Sequence, residues 1–297
     1  MNKIMSALGG SASGGKKILI SVSIIAGVAA IVVGATTAFF SDTETSTGNT
    51  FTAGSIDLKV DNECHWSGGE ECPWHEQGDM LANWALNDLK NSVHKFFYFT
   101  DLKPGDWGED TISLHVYDND AWGRIYLDGV TDSENDCTEP ESVDEVNCVE
   151  GTEQDGELDD YMQAMIWLDQ GDIDGFQCSD KKIEEGARCE DDSKEGDNMW
   201  QENEPVIVYD DITADWTYDL AEVLKRAGTG PGLTIDGHMV GSITYYFGVG
   251  WCFGGWDDST CDGSYVDNSS QSDSLSGNLN FQVEQYRNQE GGPPSWD

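Results

Sequence analysis

Apolar and polar side chains alternate over short stretches along most of this chain, with glycine, proline, asparagine and aspartate between them. FTAGSIDLKV (51–60), TISLHVYDND (111–120), AWGRIYLDGV (121–130) and LSGNLNFQVEQYRNQ (275–289) show the pattern most clearly. A period of two puts every second side chain on one face of a pleated strand, so these segments are predicted strands. VHKFFYF (93–99), the run around Met165-Ile166-Trp167-Leu168, VIVYDD (206–211) and GSITYYFGVGWCF (241–253) read the same way. The one convincing helix is ADWTYDLAEVLKRAG (214–228), where Leu220, Val223 and Leu224 share a face and Gly228 is a stop. Short strands with glycine-rich turns and one or two short helices predict an all-β fold, an antiparallel β-sandwich.

Three polar stretches interrupt the strands, at about 62–90, 131–160 and 171–204. Each reads as an insertion into a domain of residues 51–290, with 291–297 as a loose tail. The eight cysteines fall in neighbouring pairs that bracket short polar loops: Cys64/Cys72, Cys137/Cys148, Cys178/Cys189 and Cys252/Cys261. Local pairing within each would staple the insertions in an oxidising compartment, though cysteine spacing alone leaves other connectivities open.

The N-terminus reads as an export signal over residues 1–38. Lys3, Lys16 and Lys17 precede the apolar run Ile18–Val33, and Thr36-Thr37-Ala38 offers small residues at a cleavage site. Uncleaved, the same segment would be a membrane anchor. The chain carries 57 acidic against 15 basic residues, a net charge of -42. Such a surface repels nucleic acid and anionic membranes and attracts cations. No nucleic acid is expected as a partner, and membrane only through the signal segment.

The specific motifs are Phe40-Ser41-Asp42 after the apolar run, Phe51 with Gly54-Ser55-Ile56-Asp57-Leu58, the turn Asp101-Leu102-Lys103-Pro104-Gly105-Asp106, and the final SGNLNFQVEQYRNQ. With them the chain resembles the TasA/camelysin family of secreted proteins. The resemblance implies a jelly-roll-like β-sandwich, a dedicated signal peptidase and a place as a subunit of extracellular matrix fibres. The middle of the chain, 131–204, departs from that pattern in its cysteines and acidity.

The resemblance also implies assembly by donor-strand exchange, in which each subunit's N-terminal segment completes a neighbour's sheet. Main-chain bonds to an exposed edge and alternate side chains in pockets suit this chemistry, and a head-to-tail contact that does not close gives a filament. The expected donor is 39–50, with Phe39, Phe40, Asp42, Thr43, Thr45 and Thr47 as its contact residues and Gly48-Asn49 as hinge. The same segment also reads as a plain terminus. The expected partners are copies of the chain itself, with other matrix or surface proteins of a biofilm.

Asp169, Asp172 and Asp174 before Gly175, then Asp197, Asn198, Glu202 and Glu204, have the hard oxygen ligands and spacing of a calcium loop. They also read as a solvated acidic loop. Calcium is thus the expected cofactor, and a monomeric or anchored calcium-binding adhesion protein is the alternative function. Cys64, His65, Cys72 and His75 have zinc-like composition, but a Cys64–Cys72 disulfide accounts for them as well. A zincin needs two histidines one helical turn apart; after His75-Glu76 the second position is Asp79, and Gly78 and Pro73 oppose a helix. No enzyme is expected; a secreted metallopeptidase is the third reading. Asn268-Ser269-Ser270 is a glycosylation sequon.

Overall fold

The computed structural model describes residues 56–67, 83–90, 94–145, 148, 156–178, 192–257, 260–287, 289 and 292–296. All of them lie in the unit Gly54–Asp297. The strands are β1 (Asp57–Trp66), β2 (Trp84–Asn87), β3 (Trp107–Tyr117), β4 (Ala121–Ser133), β5 (Met162–Leu168), β6 (Val206–Asp211), β7 (Trp216–Asp219), β8 (Thr244–Phe253), β9 (Gly255–Asp257), β10 (Thr260–Asp262) and β11 (Ser274–Gln285). Helix α1 is Glu141–Asp144 and α2 is Leu220–Arg226.

One sheet has the order β2-β1-β3-β8-β5-β6, a second β11-β4-β7, and β9 and β10 form a small hairpin. All the pairings are antiparallel, as the alternation predicts. The two larger sheets share one apolar core. Ile112, Leu114 and Val116 of β3, Ile125 of β4 and Phe247 of β8 are fully buried in it, and Leu279, Phe281 and Val283 of β11 pack against it. The Phe247 and Phe281 rings lie 5.8 Å apart across the interface. Burying such side chains contributes about 1.5–3 kcal/mol each and holds the sheets together.

Gly248 on β8 stands opposite Trp167 on β5. A Cβ there would sit 2.0 Å from the indole, so only glycine leaves the ring its place between the strands.

The turn at 101–106 also has a clear cause. Asp106 N–H donates to the Lys103 carbonyl (2.8 Å), with Pro104 and Gly105 between and Gly105 at φ +90°. That is a type II turn with its preferred residues. The Asp106 carboxylate accepts from Lys103 N–H (2.8 Å), and Gly105 N–H and the Asp106 carbonyl both bond Phe253. The turn thereby ties the start of β3 to the end of β8.

The structure differs from the sequence reading in places. The first strand was expected over 51–60 and runs Asp57–Trp66, into the stretch predicted to be an insertion, because its pairing with β3 is continuous from Asp57↔Tyr117 to Trp66↔Gly108. Residues 94–99 of VHKFFYF form no strand. Lys90 N–H donates to His94 Nδ1 and His94 N–H to the Lys90 carbonyl, which turns the chain, and Phe96 packs on Trp84 and Phe281 at 5.1 and 6.0 Å. The helix is shorter than its sequence signal. Residues 216–219 pair with β4 as β7, and Asp219 then caps α2 by accepting from Ala221 N–H (2.9 Å).

Cys137 is bonded to Cys148 and Cys252 to Cys261. Cys64 is in a disulfide. Cys178 is buried; Cys72 and Cys189 lie outside the described residues.

Candidate functional site

Strand β11 pairs with β4 from Ser274↔Ser133 to Gln285↔Ala121, with a register shift between Ser276 and Asn278. On its other side no strand lies among the described residues. At 12 residues it is the longest such edge; β6 has 6, β2 and β7 have 4 each. An edge of this kind presents a row of backbone groups ready to pair. Edges that avoid pairing usually carry lysine, proline or several charges. SLSGNLNFQVEQ has no lysine or proline and one charge, Glu284. Its Leu279, Phe281 and Val283, half-buried, pack against the core. β6 is a poorer edge, ending in Asp210-Asp211. The expected donor residues Phe39, Phe40, Asp42, Thr43, Thr45 and Thr47 lie outside the described residues.

The acidic loop after β5 is tied together by carboxylates that accept backbone N–H groups. Asp169 takes Gly196 and Asn198 N–H at 2.9 and 2.8 Å. Glu204 takes Gly171 and Gln201 N–H at 2.9 and 2.8 Å. Asp192 takes Ile173 and Lys194, and Glu195 takes Gln177 and Cys178. These bonds are charge-assisted and join residues 169–178 to 192–204. All four carboxylates are buried. Burial raises Asp169 and Glu195 to about 7 and Glu204 to about 8, against the opposing pull of the amides.

Of the seven expected calcium ligands, Asp169 and Glu204 point inward and are engaged by amides. Asp172 pairs with Lys194 Nζ at 2.9 Å, Asp197 accepts from Met199 N–H, and Asp174 and Glu202 are exposed. Asn198 is buried, with φ +61°. The carboxylate groups that converge among the described residues include none of the seven. Asp192 and Glu195 carry as much of the loop as Asp169 and Glu204, yet sequence reasoning missed them. Both lie against Gly171, at φ +77°, where a Cβ would sit 2.7 Å from Asp192 Oδ2 and 2.6 Å from Glu195 N.

Asn268 of the sequon is exposed, but its amide donates to Asp144 Oδ2 (2.8 Å) and accepts from Gln271, and Ser270 is buried. The histidines are dispersed. His65 faces Glu63 and Glu109, His94 bonds Lys90, His115 bonds Ser113, and His238 bonds Asp236. The convergent groups among the described residues contain no histidine. His75 is outside them. No helix among the described residues is long and apolar enough to cross a membrane.

Residues 15–66 match the family described as Camelysin metallo-endopeptidase. Over this segment the chain is similar to the TasA/camelysin family. The match runs from the apolar segment through the expected donor to Trp66, the last residue of β1. Its described part, Ile56 to Trp66, supplies the first strand of the six-stranded sheet, with Ile56 and Leu58 against the core. No curated protein matches the sequence.

Proposed function

We propose that the chain is a structural subunit of an extracellular fibre, built by donation of residues 39–50 to a neighbour's sheet. The observation that carries this reading is the edge of β11, open among the described residues. It is as long as the expected donor, nearly free of charge, and packed on the core through Leu279, Phe281 and Val283. The family match adds support, because it spans the apolar leader, the donor segment and β1 as one unit. On this reading the leader is removed on export, and the disulfides belong to an oxidising exterior. Calcium is the cofactor proposed with it. In the 169–204 loop the buried carboxylates are already engaged by backbone amides.

A metallopeptidase is the second reading, favoured by the description of the matching family. The dispersal of the described histidines and the absence of a second histidine after His75-Glu76 weigh against it. One preparation tests both readings. The full chain, expressed with its own leader and recovered after export, is viewed by negative-stain electron microscopy and assayed on unfolded protein substrates with and without chelator. Filaments without chelator-sensitive hydrolysis are expected. Hydrolysis abolished by chelator, from particles that stay monomeric, would replace the fibre reading by the peptidase one.

A further inference from the structure

At the opposite end of the β4–β11 pair from the core-facing phenylalanine, the acidic insertion folds back on the sheet. Glu134 follows β4, Glu141 lies in α1 and Glu145 just after it, Glu157 precedes β5, and Asp273 precedes β11. The Cys137–Cys148 disulfide closes this insertion. One carboxylate oxygen from each of Glu134, Glu141 and Glu145 lies within 4.8 Å of the others and of the disulfide-bonded Cys148 Sγ, and oxygens of Glu134, Glu157 and Asp273 lie as close to one another. Oxygens on opposite sides of a calcium ion, at about 2.4 Å each, are separated by about that span.

Crowding of acids alone would mean little in so acidic a chain. The second observation is how the side chains are used. Glu134 is 6 % exposed and Glu141 0 %. Each spends one oxygen on the local backbone: Glu134 Oε1 accepts from Asp136 N–H, Glu141 Oε2 from Thr138 N–H. The other oxygen of each, Glu134 Oε2 and Glu141 Oε1, is buried with no hydrogen-bond partner. The same holds for Glu145 Oε2, Glu157 Oε2 and Asp273 Oδ1. None of the ion pairs among the described residues includes these five acids. Buried carboxylate oxygens without a donor or a cation are costly, and an ion would satisfy them together.

The backbone is shaped to the same end. Asp273 Oδ2 accepts from Glu157 N–H (2.7 Å), which leaves Oδ1 for the cluster. Gly156 passes so close that a Cβ would lie 3.0 Å from the Asp273 carboxyl carbon.

We propose that Glu134, the residue common to the two groups, holds calcium at this end of the β4–β11 pair, with Glu141 and Glu145 on one side and Glu157 and Asp273 closing in from the other. The all-oxygen, all-carboxylate set selects a hard divalent cation, and its number of ligands suits calcium better than magnesium. Zinc is disfavoured because the adjacent Cys137 and Cys148 are bonded to each other and no histidine joins the cluster. Without an ion, burial first and mutual repulsion second raise Glu134 and Glu157 to about 7. Calcium binding here is independent of whether the chain forms fibres.

The test is calcium titration of the exported full chain by calorimetry, after chelator treatment and dialysis, together with thermal unfolding in calcium and in chelator. Calcium is expected to bind and to raise the melting temperature, with magnesium weaker by at least about tenfold. Glu134→Gln is expected to lower calcium affinity at least about tenfold while the chain stays folded. Asp273→Asn, at a less buried ligand, should do the same if Glu134→Gln misfolds. Asp169→Asn should leave the affinity unchanged. Absence of binding at millimolar calcium, or binding lost with Asp169→Asn and kept with Glu134→Gln and Asp273→Asn, would overturn the proposal.

Discussion

Deleting residues 39–50 from the exported chain is expected to abolish filaments and leave the β-domain folded. A donated strand along β11 gains roughly one main-chain hydrogen bond per residue, at about 1 kcal/mol net each. Phe39 and Phe40 would add about 1.5–3 kcal/mol each on burial. The deletion removes all of this from every subunit contact, so filament counts in micrographs should fall to background rather than by a fraction. On this reading residues 39–50 complete a neighbour's sheet and not the core of their own domain. The melting temperature of the dispersed chain is therefore expected to stay within about 2 °C. Filaments of unchanged number from the deleted chain would show that another surface joins the subunits.

The second large effect is a fall in stability with rising pH, measured in chelator. Asp169, Glu195 and Glu204 are buried, and burial raises them to about 7, 7 and 8 in the folded chain. Unfolded, they titrate near their ordinary values, close to 4. Between those limits the folded state binds more protons than the unfolded one, so stability must decrease as pH increases. The loss begins near pH 4.5 and is complete near pH 8. At about 1.4 kcal/mol per pH unit and group, three such groups cost on the order of 5–10 kcal/mol together, a fall of at least about 10 °C in melting temperature between pH 5 and pH 8. Glu204→Gln should flatten the slope. It should also lower the melting temperature at pH 5, because its amide nitrogen cannot accept the N–H of Gly171 or Gln201. A melting temperature that rises steadily from pH 5 to pH 8 would contradict the buried, amide-engaged arrangement.

Period-two alternation made β3, β4 and β11 legible as antiparallel strands, although β3 is buried on both faces from Ile112 to Val116. Aromatic enrichment misled at VHKFFYF, where Phe96 to Phe99 are four successive aromatics and Phe96 is buried by contacts with Trp84 and Phe281. The helix signal over 214–228 failed at Trp216–Asp219, where helix propensity yields to four residues of pairing with β4. Local cysteine pairing was readable at Cys137–Cys148 and Cys252–Cys261 because each closes a short loop whose ends are already neighbours. The acidic clusters were the least legible. Sequence spacing marked Asp169 and Glu204, but which oxygens take amides depends on the fold of both halves of the loop. Glu134, Glu157 and Asp273 are far apart in sequence and meet only because β4 and β11 pair. No spacing rule brings them together.

The most direct measurement is a photo-crosslink from the donor segment. A photoreactive residue placed at Thr45 in the exported full chain, irradiated after assembly, is digested and mapped by mass spectrometry with isotopically mixed subunits. Adducts between chains, landing within residues 274–285, are expected. Adducts confined to one chain, or landing on 206–211 of a neighbour, would contradict donation of the N-terminal strand to the open edge of β11.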